Sequence, residues 1–153
     1  MPNTYTQIHI QLVFAVKRRG NLISKDWKLE LYQYMSGIIT NQGHKMLQIN
    51  GVSDHVHILI GQRPTQALSE LMQMIKRDSS AWINRKKLSR SRFSWQEGYG
   101  AFSYAKFQVP NVINYIKNQE HHHERQHFLD EYRDLLKVHG VDYDERYIFK
   151  PVS

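Results

Sequence analysis

Hydrophobic and polar positions along the chain change period several times, and each change marks an element. From Tyr5 to Val16 apolar residues alternate and then run together through Leu12, Val13 and Phe14, as in a strand entering a core. Lys17-Arg18-Arg19-Gly20 ends that strand as a basic turn. Over about 25–42, Trp27, Leu31, Tyr34, Met35 and Ile38 recur at helical spacing, with Ser24 placed to cap the helix and Gly43 to terminate it. Two strands follow, Lys45 to Val52 and His55 to Ile60, joined by a short turn at Ser53-Asp54. Pro64-Thr65 opens a second helix whose apolar stripe is Leu68, Leu71, Met72, Ile75, Trp82 and Ile83. A fourth strand is predicted from Tyr99 to Phe107, then a helix from Pro110 to about His123. Phe128 to His139 makes a last helix, stopped by Gly140.

The order β-α-β-β-α-β with added C-terminal helices predicts an α+β, ferredoxin-like domain (split βαβ, RRM-like). Its antiparallel sheet is expected to carry helices on one face and leave the other for a ligand. No linker or repeat divides the 153 residues, so 1–153 reads as a single domain. The absence of cysteine excludes disulfides, thiolate-held zinc, iron–sulfur centres and a cysteine nucleophile. The longest apolar run, Leu12 to Val16, is far short of a membrane span, and the N-terminus lacks a signal-peptide pattern. A soluble cytoplasmic protein with no membrane partner is expected.

Charge then narrows the partner. The chain has 21 Lys and Arg against 14 Asp and Glu. The surplus lies entirely before residue 120, since the remaining tail is acidic. Two basic groups stand out: Lys17, Arg18 and Arg19, and then Lys76, Arg77, Arg85, Lys86, Lys87, Arg90 and Arg92. Such runs are usually solvated faces. Interleaved with Trp82, Phe93 and Trp95, the second group has the composition of a surface offering phosphate contacts and stacking to single-stranded nucleic acid.

Asp54-His55-Val56-His57 carries the sharpest chemical signal. On a strand, residues i and i+2 share a face, so both imidazoles project together. Two neutral imidazoles side by side are natural ligands for a divalent ion, although a lone His-x-His more often decorates an exposed strand. Tyr115 and Gln119, one helical turn apart, share a second face. A phenol reaching an activated phosphate is a competent nucleophile, and Gln119 would add a carbonyl oxygen to the two nitrogens. That mixed set suits Mg²⁺ or Mn²⁺. His121, His122 and His123 cannot all face one ion, because helical neighbours lie about 100° apart. His122 and His123 are within reach of the Gln119 face, and His9 falls on the histidine face of the sheet.

Taken together, Leu12-Val13-Phe14-Ala15-Val16-Lys17, Asp54-His55-Val56-His57, Trp95-Gln96-Glu97-Gly98-Tyr99-Gly100-Ala101-Phe102-Ser103 and Tyr115-Ile116-Lys117-Asn118-Gln119 resemble the single-tyrosine HUH transposases, more narrowly the insertion-sequence-200/605 group. The resemblance implies a DNA transposase acting on single-stranded DNA with hairpin ends. Tyr115 would be the nucleophile, forming a 5′-phosphotyrosyl link, and His55, His57 and Gln119 would hold Mg²⁺ or Mn²⁺. It further implies a homodimer with active sites shared between subunits. The rivals are a domesticated relative processing chromosomal hairpin repeats and a non-catalytic single-strand nucleic-acid-binding domain.

Overall fold

Every residue of the strand His9–Ala15 (β1) is buried, which requires cover on both faces of the sheet. The computed structural model, which describes residues 3–152, shows how that cover arises. After β1 come α1 (Lys28–Asn41), β2 (Lys45–Val52), β3 (His55–Gly61), α2 (Leu68–Lys86) and β4 (Gly100–Tyr104). Three C-terminal helices follow: α3 (Val109–Lys117), α4 (Gln119–His122) and α5 (Phe128–Val138). Among the described residues the strands form one antiparallel sheet in the order β2-β3-β1-β4, the ferredoxin-like arrangement. No helix among them is long and apolar enough to cross a membrane.

Strand alternation divides the side chains between two layers. Ile10, Leu12 and Phe14 of β1 and Val56, Ile58 and Ile60 of β3 share one core cluster with Leu31, Met35 and Ile39 of α1 and Leu71, Met72 and Ile75 of α2. The opposite face carries Gln11, Val13, His55, His57 and Leu59. The face expected to lie open is covered here, because Val112 and Ile116 of α3 pack on Leu59 and Phe128 of α5 stacks on His55 with ring centroids 4.0 Å apart. Leu59 takes the apolar stripe of α3, while the stripe of α5 (Phe128, Tyr132 and Leu136) joins Phe102 and Phe149 in the larger cluster.

Local chemistry accounts for most boundaries. Gly43, at φ +86°, takes the left-handed position that ends α1, and the His44 amide returns to the Ile39 carbonyl at 3.2 Å. Ser24 caps the turn ahead of α1, its hydroxyl accepting from the Asp26 amide at 3.1 Å, so the helix starts later than its cap suggests. The fourth strand is shorter than predicted, as Lys106–Gln108 fold into a 3-10 turn before Pro110. The predicted 110–123 helix breaks at Asn118, between Tyr115 and Gln119. Trp82, Phe93 and Trp95 are core residues rather than stacking surfaces. Trp95 meets Phe14 edge-on at 4.7 Å and donates its indole N–H to the Ser79 hydroxyl at 2.9 Å.

The β2–β3 hairpin brings Gly51 opposite Val56, so closely that a Cβ at Gly51 would run into the His55 carbonyl. Gly51→Ala should therefore cost about 1–3 kcal/mol, read as a lowered urea midpoint at unchanged slope. An unaltered midpoint would contradict this packing.

Candidate functional site

β3 delivers His55 and His57 to the same face, both fully buried, with ring centroids 5.0 Å apart. Each ring is oriented through Nδ1. His55 donates Nδ1–H to Asp54 at 2.7 Å. His57 accepts at Nδ1 from the Gln11 amide at 2.8 Å, and Gln11 Oε1 in turn accepts from the Tyr104 hydroxyl at 2.6 Å. Both Nε2 atoms are thereby turned toward α3, α4 and α5.

The group they meet is Glu131 of α5, which the sequence reading did not single out. Its Oε1 accepts from His57 Nε2 at 3.1 Å and from His123 Nε2 at 2.9 Å, and lies 3.4 Å from His55 Nε2. Its Oε2 accepts from the Gln119 amide at 3.0 Å and from the Tyr115 hydroxyl. Gln119 presents its carbonyl oxygen to His55 Nε2 at 3.1 Å. Tyr115 stands edge-on to His57 at 5.8 Å, and His122 lies against the Tyr115 ring at 4.8 Å. All four residues expected from the sequence therefore converge, and they do so within one chain. Of the neighbouring histidines, His123 joins the cluster, His122 flanks the phenol and His121 stays exposed beside Glu124. Glu131 had one visible signal: it falls on the buried stripe of α5 with Phe128, Tyr132 and Leu136, where an acid has no reason to be unless it is paired.

Burial and pairing set the protonation states. Burial drives the His57 imidazolium down to about 4, so His57 is neutral at pH 7. Burial also opposes charge on His55, but the carboxylates of Asp54 and Glu131 outweigh it and raise that imidazole. Glu131 would be raised by burial, yet the hydrogen bonds from His123, His55 and His57 hold it well below the usual carboxylate range. Tyr115 is pushed the other way, by burial and then by the Glu131 charge, so its phenol keeps its proton. The phenol opens onto a cavity of about 380 Å³ lined in part by Tyr104, Val112, Leu135 and His139.

The donor set fits a divalent cation. One ligand atom from each of His55, His57 and Glu131 lies within 4.8 Å of the others, and all three side chains are buried. Gln119 Oε1 adds a fourth donor beside His55. Two imidazole nitrogens with carboxylate and amide oxygens are the mixture that Mn²⁺ and Mg²⁺ accept.

The basic residues divide. Asn21 donates its amide N–H to the Ser89 and Ser91 hydroxyls and to the Arg92 carbonyl, and the Arg90 amide donates to Gly20. This joins Lys17, Arg18 and Arg19 to Arg90 and Arg92 in one exposed patch. Arg85 and Lys87 are also exposed; Lys86 lies over the Trp82 ring, 3.7 Å from Glu30. Arg77 pairs with Asp78 at 2.9 Å. Lys76 differs, because its ammonium donates to the carbonyls of Gln96 (2.7 Å) and Gly98, and burial lowers it to about 8. It pins a loop.

The family model described as "Transposase IS200 like" matches residues 4–119. A candidate transposase from Deinococcus radiodurans R1 superposes with TM-score 0.58 at 20% identity, covering 76% of this chain and 94% of its own. A REP-associated tyrosine transposase bound to a REP hairpin superposes with TM-score 0.59 at 12% identity, covering 99% of this chain and 97% of its own. No match was found among curated proteins.

Asp54 holds His55 from behind, so Asp54→Asn should weaken Mn²⁺ binding roughly 10- to 100-fold by calorimetry. Because the Asp54 carboxylate raises His55, protons compete with the cation for His55 below its raised pKa, and affinity should fall as pH drops through it. In Asp54→Asn that fall should move to lower pH. An unchanged affinity and midpoint would remove Asp54 from the site.

Proposed function

The chain belongs to the IS200-like transposase family, and on that premise we propose that it cuts and rejoins single-stranded DNA at hairpin-bearing ends through Tyr115. The observation that carries this reading is the convergence of the Tyr115 hydroxyl, the Glu131 carboxylate and two histidine Nε2 atoms at one buried point beside an open cavity. A simple nucleic-acid binder has no use for that cluster. The neighbour that covers nearly the whole chain was solved with a REP hairpin, which supports a hairpin-bearing substrate.

In this proposal the Tyr115 oxygen attacks the scissile phosphorus and the bond to the upstream 3′-oxygen breaks. The products are a 5′-phosphotyrosyl ester and a strand ending in a 3′-hydroxyl. The phenol, oriented by its hydrogen bond to Glu131 Oε2, gives up its proton to solvent in the adjoining cavity as it attacks, and the leaving 3′-oxygen takes a proton from solvent. His55, His57, Gln119 and Glu131 would hold Mg²⁺ or Mn²⁺. When bound, that cation supplies the positive charge which lets a phosphodiester accept a nucleophile. The ester keeps the energy of the broken bond, so a second 3′-hydroxyl restores a phosphodiester by the reverse step. The patch of Lys17, Arg18, Arg19, Arg90 and Arg92 would contact the DNA backbone.

The 3-10 turn at Lys106–Gln108 folds α3 back onto its own sheet, and Asn50 donates to the carbonyls of Ile116 (3.1 Å) and Lys117 (3.0 Å). This supports a site complete within one subunit. Sites shared across a homodimer rest on the family resemblance alone.

The decisive experiment incubates the protein, Mn²⁺ or Mg²⁺, and labelled hairpin DNA from the flanks of its own gene. A denaturing gel should show a covalent adduct with the single strand and none with duplex; no adduct under either metal would sink the reading. Tyr115→Phe should bind DNA normally and form no adduct. Mixed with His57→Ala it should stay inactive, whereas a regained adduct would assign shared sites. Replacing Arg18, Arg90 and Arg92 by Gln should lower the log–log salt slope of binding by roughly 2, at about 0.7 per lost phosphate contact. An unchanged slope would return the patch to ordinary solvated surface.

A further inference from the structure

The helix α4 is a single turn, and the break at Asn118 separates it from α3. One turn of helix does not hold itself, because nucleation fixes several dihedrals for each hydrogen bond gained. Its place must therefore come from side chains. Gln119 reaches inward, where its fully buried amide meets His55 and Glu131. Glu120, about 100° further round the helix, meets Lys28 instead, its Oε1 accepting from the ammonium at 2.6 Å. Lys28 opens α1, in the layer on the opposite face of the sheet. Its side chain is only 15% exposed, against 55% for Glu120, and its ammonium has no other partner among the described residues. Tyr32, one turn further along α1, is buried with its hydroxyl unpartnered, so Lys28 is the polar link from α1 to α4 among them. The link crosses the end of the β2–β3 hairpin, since Lys28 and Glu120 line one cavity of about 460 Å³ with Ser53 and Asp54.

We propose that Lys28 is a positioning residue for the cation site: by holding Glu120 it fixes α4, and with it the Gln119 carbonyl oxygen beside His55. The inference rests on the reading of Gln119 as a cation ligand in the proposed cleavage. An exposed ion pair would be too weak for this role. Lys28 differs because its ammonium is mostly shielded from water and has one partner, so parting from Glu120 leaves a poorly solvated charge. Charge alone predicts a different outcome from positioning. A lysine near a cation site repels the cation, so losing its charge should tighten binding. Losing a positioning contact should weaken it, because metal–ligand distances tolerate only about 0.2 Å of error. The sign of the effect therefore separates the two.

The test titrates Mn²⁺ into the full chain by calorimetry, alongside the adduct gel. Lys28→Met keeps the apolar stem and removes the charge, and should weaken Mn²⁺ binding about fivefold. Glu120→Gln should weaken it similarly, and the double variant should be no worse than either single one, because both break the same bond. Glu124→Gln removes an acid that lines the same cavity without bonding to Lys28, and should stay within about twofold of wild type. Unchanged or tighter Mn²⁺ binding in folded Lys28→Met, or single losses that multiply in the double variant, overturns the proposal. Should Lys28→Met fail to fold, the two glutamate variants decide, and equal effects from both overturn it. A chain that forms the DNA adduct with Mn²⁺ affinity unmoved by these variants loses only the positioning role. A chain that shows the affinity losses but never forms the adduct keeps that role and loses the cleavage reading.

Discussion

One buried carboxylate organises the site. Glu131 accepts hydrogen bonds from His57, His123, Gln119 and Tyr115, groups delivered by β3, by α3, and by α4 and the turn after it. A lone carboxylate in that position would be prohibitive, and an apolar residue would leave four polar groups unsatisfied. Each partner is therefore needed by the others. The result is that α5, last in the chain, locks the tyrosine helix to the histidine strand. The same carboxylate acts on each neighbouring protonation state: it joins Asp54 in raising His55 and adds to burial in raising Tyr115, while at His57 burial outweighs it and keeps the ring neutral.

The sheet was legible because its signals are local. Alternation in β1, the hairpin at Ser53-Asp54 and Gly43 after α1 each predict their elements without knowledge of the rest. His-x-His on a strand and Tyr-x-x-x-Gln on a helix likewise encode a shared face, and the structure brings both pairs together. Glu131 and His123 were harder, since their roles depend on how α5 docks, which no spacing in the sequence encodes. The covered second face was missed for the same reason. So were the buried aromatics: Trp82, Phe93 and Trp95 sit among arginines in sequence, but their rings point inward while the charges point out.

The break at Asn118 also has a physical reading. An uninterrupted helix would fix Tyr115 and Gln119 rigidly one turn apart. Interrupting it lets α3 follow the sheet through Val112 and Ile116, while α4 turns separately to present Gln119 to His55 and Glu131. Packing and ligand placement are thus handled by different short helices.

The bonds linking Tyr104, Gln11 and His57 all run in one sense. Tyr104 donates to Gln11, Gln11 donates to His57 Nδ1, and the imidazole proton is left on Nε2 facing Glu131. A lone pair at Nε2 is available to a cation only if the proton moves to Nδ1, and then Gln11 must turn its carbonyl to His57 and its amide to Tyr104. The direction of one buried glutamine on the central strand therefore records whether the ring beside it is acting as a donor or as a ligand.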